Sequence, residues 1–164
     1  MAKGDSPTAD APSASPKPVS VLFVCLGNIC RSTMSEGVFH SLSASNPLIS
    51  TIDSCGTGAY HIGHAPDHRT LSTLRQNGIT TYTHKARQFK PQFDFPAFDY
   101  ILAMDRENLA ELAELRRREV EKRGGEEGVG KVMLFGEFGG KKGEEVEDPY
   151  YGGRRGFRWR MSRR

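Results

Sequence analysis

The stretch VSVLFVCLGNICRST (residues 19–33) carries the strongest indication of the fold in the sequence. It begins with a β-branched and apolar run, broken by a single serine, which is typical of a strand covered on both faces of a parallel sheet. Gly27 and Asn28 then indicate a tight loop, because both residue types tolerate positive φ. Apolar residues recur at helical spacing after Ser32 and Glu36, so the stretch predicts a strand, a loop and a helix in that order.

The same order recurs along the rest of the chain. The predicted strands are residues 48–54, 98–105 and 131–135, and the predicted helices are residues 32–46, 67–76 and 106–117, with a glycine-rich charged loop at residues 124–130. Strands and helices that alternate in this way predict an α/β fold with an open parallel sheet and helices on both faces. Ligands of such sheets bind beyond the carboxyl ends of the strands, where the loop CLGNICR is expected to lie.

The length and the cysteine content restrict the class of protein. The chain has 164 residues, which corresponds to one domain. It contains three cysteines, an odd number, and no apolar run of the roughly 20 residues that a membrane span requires. We therefore expect a protein of the reducing cytoplasm that has no membrane partner.

Charge is distributed unevenly between the termini and the rest of the chain. The net charge is +3, but residues 154–164 contain six arginines and no acidic residue, so the remainder of the chain carries −3. A basic excess confined to a terminal tail is a weak sign of nucleic-acid binding, and no nucleic-acid partner is expected. Residues 1–18 are rich in Pro, Ser and Ala without a hydrophobic period, which predicts a disordered leader.

The loop CLGNICR has the chemistry of an anion site. It joins the carboxyl end of a strand to the amino end of a helix, where unpaired N–H groups and the helix dipole favour an anion. Curling at Gly27 and Asn28 would turn its amides inward around a tetrahedral oxyanion. Such a site favours the thiolate form of Cys25, which is the nucleophilic form. Arg31 can bind two phosphate oxygens at once, and the Ser32 hydroxyl can donate to the sulfur or cap the helix.

The segment VCLGNICRS resembles the active-site loop of the low-molecular-weight protein tyrosine phosphatase family. The segments DSCGTGAYHIGHAPDHRTLSTLRQNGI, HKARQ, FDYILAMDRENL and EDPYYGG follow it in the family's order, so the resemblance covers about residues 19–153. It implies that these residues form one phosphatase domain with a flavodoxin-like fold on a four-stranded parallel sheet. It also implies a two-step hydrolysis that needs neither a metal nor a cofactor.

The resemblance implies a role for each residue of the site. Cys25 would attack phosphotyrosine, Arg31 and the loop amides would hold the transition state, and Asp148 would act first as general acid and then as general base. The substrate-binding residues implied in this way are Leu26, Gly27, Asn28, Ile29, Cys30 and Ser32 in the loop, with Tyr60, Tyr150 and Tyr151 at the mouth of the pocket.

The family also implies how the loop is supported and regulated. His84 would hydrogen-bond the loop through Asn28, and Ser32 would support it. Cys30 would form a reversible disulfide with Cys25 on oxidation; a role as a small core residue is the alternative. The implied substrates are phosphotyrosine proteins and small aryl phosphates, with acid phosphatase activity. Phosphate and vanadate are the implied inhibitors, and the protein is expected to be a monomer or a weak dimer.

Three other interpretations compete with a phosphotyrosine phosphatase. An arsenate reductase uses a similar loop cysteine but needs further cysteines to relay the disulfide, and Cys55 alone is available. A phosphopeptide-binding module without turnover would not need both Cys25 and Asp148. A destabilised, non-functional product is the third, because residues 154–164 stand where the family continues into a long amphipathic helix. That helix is expected to be missing or replaced, and each large apolar side chain that it would otherwise bury costs about 2 kcal/mol when left in water.

The histidines do not predict a metal site. His61, His64 and His68 lie close together in sequence, but no carboxylate or thiol partner makes metal ligation the better interpretation.

Overall fold

The structure is a computed structural model that describes residues 15–149. Its elements are β1 (Val19–Cys25), α1 (Arg31–Ser43), β2 (Ile49–Gly56), α2 (His68–Gln76), α3 (Pro91–Ala97), β3 (Tyr100–Ala103), α4 (Arg106–Arg123) and β4 (Lys131–Leu134), followed by a short 3-10 helix (Phe135–Gly139). The four strands form one parallel sheet in the order β2-β1-β3-β4. The predicted open, four-stranded parallel sheet is confirmed.

The central strand β1 is buried on both faces of the sheet. On one face Leu22 packs in a cluster with Phe95 of α3 and Leu112 of α4. On the other face Phe23 packs edge-to-face on Phe39 of α1, with the ring centroids 5.6 Å apart. Helices therefore cover both faces, which explains why β1 reads as a nearly continuous apolar run.

Helix α4 continues past the end at residue 117 that the sequence predicts. The helix carries ion pairs one turn apart, among them Arg117 with Glu121 and Arg123 with Glu119, and pairs at this spacing support a helix. Gly124 caps the helix directly after Arg123, and its φ of 77° is the left-handed conformation common at helix C-termini.

Helix α3 was not among the predicted elements. It spans seven residues and contains Pro96, so its sequence has neither the length nor the period of a typical helix. Its position depends on packing, since the Phe95 side chain is fully buried and meets Phe89 edge-to-face at 5.0 Å. The Asp94 carboxylate accepts the backbone N–H of Lys90 and so closes the first turn.

The ends of the chain bear on three sequence predictions. Residues 15–18 are exposed and form neither helix nor strand. The rest of the predicted leader, residues 1–14, lies outside the described residues, and so do the basic tail at 154–164 and the end of the predicted domain at 153. Within the described range, no helix has the length and apolar character needed to cross a membrane.

Candidate active site

The loop between β1 and α1 encloses the side chain of Cys25. Asn28 adopts a φ of 56°, the left-handed conformation that asparagine tolerates better than most residues. This turn directs the Asn28 N–H toward Cys25 Sγ, at 3.3 Å. The hydroxyl of Ser32 lies 3.1 Å from the same sulfur. Two groups that can donate therefore reach the buried sulfur of Cys25.

Ser32 does not cap helix α1, so that part of the prediction is wrong. The N-cap position belongs to Cys30, and no side chain makes a capping hydrogen bond there. Ser32 is fully buried inside the first turn, and its hydroxyl is engaged by Cys25 and by the side-chain amide of Asn28 at 2.9 Å. The Ser32 hydroxyl therefore supports the loop and does not cap the helix.

A cavity of about 440 Å³ opens above this loop. Its lining residues are Cys25, Leu26, Gly27, Ile29, Cys30, Arg31, Tyr60, His61 and Asp148. Of these, Tyr60 is largely exposed at the mouth. His61 was not predicted as a site residue; its ring stands so close to Gly27 that a Cβ there would be 3.0 Å from His61 Cδ2. Its position directly after Tyr60, a predicted residue of the pocket mouth, is the sequence feature that could have predicted it.

Arg31 is buried and held from three directions. One guanidinium nitrogen, Nη1, donates to Asp105 Oδ2 at 2.5 Å and to the carbonyl oxygen of Val146 at 3.2 Å. The other, Nη2, lies 3.2 Å from Asp148 Oδ2. Burial acts to lower the pKa of Arg31, but the hydrogen bond to Asp105 and the charges of Cys25 and Asp148 outweigh it and raise the pKa. The guanidinium therefore stays charged beside the sulfur.

Asp105 is a site residue that sequence reasoning missed. It is the N-cap of α4, where its Oδ1 accepts the backbone N–H of Asn108 at 2.8 Å, while its Oδ2 binds Arg31. Because β3 lies next to β1, the carboxyl end of β3 brings this side chain to the same edge of the sheet. A carboxylate at the carboxyl end of a predicted strand was the signal that could have found it.

The structure brings Asp148 to the cavity wall, next to Arg31. Tyr150 and Tyr151, the two predicted rim residues that follow it, lie outside the described residues.

Asn28 is supported from behind the loop, on the side away from the cavity. Its Oδ1 lies 2.8 Å from His84 Nε2 and accepts the backbone N–H of Arg87 at 2.9 Å. Its Nδ2 donates to Ser32 and to Ser54, each at 2.9 Å. Four hydrogen bonds on one amide fix the left-handed turn that directs the loop N–H at Cys25.

The three cysteines occupy different environments, although all are free thiols. Burial, together with the nearby charges of Asp67 and Cys25, raises the pKa of Cys30 to about 12. Burial also raises the pKa of Cys55 well above its usual value. Thiolate chemistry near neutral pH is therefore disfavoured at both of these cysteines.

Among the described residues, Glu36, Asp53 and His84 form a cluster whose spacing could suit a metal ion. His61, His64 and His68, which lie close together in sequence, are not part of it. These groups already bind one another: His84 Nδ1 lies 3.3 Å from Glu36 Oε2 and 3.9 Å from Asp53 Oδ1. Asp53 is also paired with Arg87 at 2.9 Å. Ion pairs and hydrogen bonds account for the cluster.

Comparisons with known proteins give one consistent result. The family model described as low molecular weight phosphotyrosine protein phosphatase matches residues 20–162. The protein of that name from Schizosaccharomyces pombe is 49% identical over 145 residues, which cover 86% of each chain. The structure of Drosophila arginine phosphatase has a TM-score of 0.72 at 37% identity, covering 84% of this chain and 85% of the other. The protein tyrosine phosphatase of Entamoeba histolytica has a TM-score of 0.69 at 35% identity, covering 85% of each chain.

Proposed function

Because the chain belongs to the low molecular weight phosphotyrosine protein phosphatase family and is an enzyme of that class, we propose that it hydrolyses aryl phosphates in the cavity above Cys25. One observation carries the assignment of the site. The Cys25 sulfur is buried within reach of the Asn28 N–H and the Ser32 hydroxyl, on a loop that also bears the charged Arg31. A tetrahedral dianion above this sulfur would lie beside the Arg31 guanidinium and at the amino end of α1, both of which favour an anion.

In the first proposed step the Cys25 thiolate attacks phosphorus. A sulfur–phosphorus bond forms as the bond from phosphorus to the aryl oxygen breaks, and Asp148 gives its proton to the departing phenolate. The backbone amides of the loop and the Arg31 guanidinium bind the equatorial oxygens, on which negative charge is concentrated in the transition state. Asp105 acts through Arg31, since it holds the guanidinium without lining the cavity.

In the second proposed step water attacks the cysteinyl phosphate. Asp148, now ionised, takes a proton from that water as the sulfur–phosphorus bond breaks. Inorganic phosphate leaves, and the thiolate of Cys25 is restored with Ser32 as hydrogen-bond donor, which makes the sulfur a better leaving group. Phosphate and vanadate are therefore proposed to inhibit by occupying the same loop.

The proposal is tested with purified full-length protein and three substrates: p-nitrophenyl phosphate, a phosphotyrosine peptide and phosphoarginine. The first two should be hydrolysed at a rate that a metal chelator leaves unchanged. Turnover of phosphoarginine without turnover of phosphotyrosine would contradict the proposed substrate class.

Replacing Asp148 by asparagine is expected to slow tyrosine release far more than p-nitrophenol release. General acids contribute about 10²- to 10⁴-fold, and a good leaving group such as p-nitrophenolate needs this help least. The variant should also lose the falling alkaline limb of kcat/KM, and it should bind phosphate at least as tightly, because the carboxylate no longer competes for Arg31. Steady-state kinetics on both substrates measure these effects, with Glu147→Gln as the neighbouring control. Equal losses on both substrates would exclude Asp148 as the acid.

Cys30 is proposed to protect the nucleophile from irreversible oxidation. Peroxide converts the Cys25 thiolate to a sulfenic acid; the Cys30 thiol then attacks that sulfur, water leaves, and a disulfide forms. Since burial raises the pKa of Cys30 to about 12, Cys30 is not the thiol that peroxide attacks first.

A Cys30→Ser variant is expected to lose activity permanently after peroxide, whereas the parent should recover with dithiothreitol. Each recovery is measured against the same protein before treatment, with the Cys25–Cys30 cross-link followed by mass spectrometry. Equal recovery of both proteins without a cross-link would leave Cys30 as a packing residue.

The remaining proposals concern the setting of the enzyme. We propose acid phosphatase activity on small aryl phosphates and a monomeric or weakly dimeric state. We also propose a cytoplasmic location, with which the three free cysteines are consistent. The arsenate reductase alternative is not favoured, because the relatives bear the phosphatase name and Cys55 is fully buried.

A further inference from the structure

A chain of buried or half-buried hydrogen bonds runs from Tyr82, in the segment between α2 and α3, to the sulfur of Cys25. We propose that Tyr82 is a positioning residue: its hydroxyl holds the carboxylate of Glu36, and this carboxylate is the acceptor that anchors the chain of hydrogen bonds ending at Cys25. The proposal rests on the proposed role of Cys25 as nucleophile. It assigns a function to a side chain that does not line the cavity.

The direction of the chain is fixed at Asn28. Its Oδ1 accepts the backbone N–H of Arg87 at 2.9 Å, and a backbone N–H can only donate. The other terminal atom of the Asn28 side chain is therefore the nitrogen Nδ2, which has two hydrogens to donate. His84 Nε2 lies 2.8 Å from the same oxygen. Because an amide oxygen can only accept, Nε2 carries a hydrogen and donates it.

The two hydrogens of Asn28 Nδ2 go to two serine hydroxyls, Ser32 and Ser54, each at 2.9 Å. Each hydroxyl accepts there and so directs its own hydrogen to its second neighbour. Ser32 consequently donates to Cys25 Sγ at 3.1 Å, and Ser54 donates to Glu36 Oε2 at 2.6 Å. One amide thus couples the acceptor at Glu36 to the donor at the sulfur.

Glu36 has to be an acceptor for this arrangement to persist. Its Oε2 accepts from Ser54 and from the Tyr82 hydroxyl, the latter at 2.7 Å. Burial raises the pKa of Glu36, while the hydrogen bonds from Ser54 and Tyr82 and the charge of His84 act to lower it. A protonated Glu36 would accept these two hydrogen bonds less strongly, because a neutral carboxyl is a weaker acceptor than a carboxylate. The carboxylate form therefore sustains the chain, and Tyr82 is one of the donors that maintain it.

Other charged groups around Glu36 come from each neighbouring element. Asp53 of β2 raises the pKa of Glu36 and is itself paired with Arg87 at 2.9 Å. His84 Nδ1 faces Glu36 at 3.3 Å, and His40 of α1 lines the adjacent cavity between α1 and residues 78–83. None of these groups is a hydroxyl donor, so none of them can replace the Tyr82 hydroxyl in kind.

The placement of Tyr82 is specific. Its ring lies parallel to that of His84, with the planes 3° apart and the centroids 6.5 Å apart. The ring also lies against Gly37 of α1, where a Cβ would lie 3.3 Å from Tyr82 Cγ, so the glycine leaves room for it. Burial and the neighbouring Glu36 raise the pKa of the phenol, which therefore remains a donor throughout the working range of pH.

Loss of the hydroxyl should make the active site sensitive to acid. Without it, Glu36 has one fewer donor opposing the effect of burial, so the carboxyl takes up a proton at a higher pH than in the parent. The Ser54 hydrogen then meets a weaker acceptor, because a neutral carboxyl accepts less strongly than a carboxylate, and the hydrogen bonds of Ser54 and Asn28 behind the loop are weakened. Ser32 is then held less firmly as a donor to the Cys25 sulfur, which is expected to make the thiolate less favourable at acidic pH.

The test compares the parent with Tyr82→Phe, using kcat/KM for p-nitrophenyl phosphate across the acidic limb and the ultraviolet absorbance of the thiolate. Tyr82→Phe should displace the acidic limb upward by roughly half to one pH unit, which corresponds to an about three- to tenfold lower kcat/KM at about pH 5. Near neutral pH the two proteins should agree within about twofold. The thiolate titration should shift in the same direction.

Two further variants separate positioning from general damage. In a Glu36→Gln background, where residue 36 cannot titrate, Tyr82→Phe should cause no additional displacement of the limb. Tyr100→Phe, a tyrosine of β3, is the matched control and should leave the limb in place.

The outcomes distinguish this proposal from the proposed function. A loss in Tyr82→Phe that is uniform across pH, an unchanged limb, or an equal displacement in the Glu36→Gln background would each overturn the role of Tyr82. An inactive parent protein would instead overturn the proposed function.

Discussion

Replacing Cys25 by serine is expected to lower kcat by roughly four orders of magnitude or more, as the loss of an enzymic nucleophile commonly does. The hydroxyl is far less ionised than a thiol at the working pH, so the covalent step fails. Binding of phosphate and vanadate should persist, because the loop amides and the Arg31 guanidinium remain in place. The variant thus separates chemistry from binding.

Stopped assays of turnover and calorimetric titration with phosphate measure the two effects. Cys55→Ala is the matched control, since Cys55 is buried on β2 and does not line the cavity. Turnover by Cys25→Ser above about a hundredth of the parent rate would contradict the covalent mechanism.

Replacing Arg31 by lysine is expected to lower kcat/KM by about three orders of magnitude and also to weaken phosphate binding. The guanidinium binds Asp105 and the Val146 carbonyl through Nη1, and it pairs with Asp148 through Nη2. An ammonium group offers a point charge without this planar fork, so it cannot hold these partners and also bind two phosphate oxygens. Unlike Cys25→Ser, this variant should lose both binding and rate.

The control for this prediction is Arg106→Lys, an exposed arginine in the first turn of α4, directly after Asp105. Its kcat/KM should stay within about twofold of the parent. If Arg31→Lys retained more than about a tenth of the parent kcat/KM, a simple positive charge would be sufficient and the fork would have no role.

The features of this site that depend on local sequence could be predicted. The apolar run before Cys25, the Gly27–Asn28 turn and the helix that follows lie within one short segment, and the left-handed φ of Asn28 is what that residue type permits. The alternation of strands and helices likewise predicted the parallel sheet.

The features that depend on which strands are neighbours could not be predicted in the same way. Asp105 reaches Arg31 because β3 pairs with β1, and 74 residues separate the two side chains in sequence. Ser54 and Glu36 meet only when β2 and α1 have packed together. Ser32 shows the reverse problem, since its capping pattern was overridden by tertiary hydrogen bonds to Asn28 and Cys25.

The span of the Arg31 contacts has a consequence for synthesis of the protein. The loop that carries the nucleophile leaves the ribosome early, but Arg31 binds the Val146 carbonyl, 115 residues later, and Asp148 follows that residue closely. A nascent chain therefore exposes the reactive thiol long before the groups that complete its catalytic surroundings have been translated. The appearance of phosphatase activity during translation would therefore mark the docking of the segment that carries Val146 and Asp148.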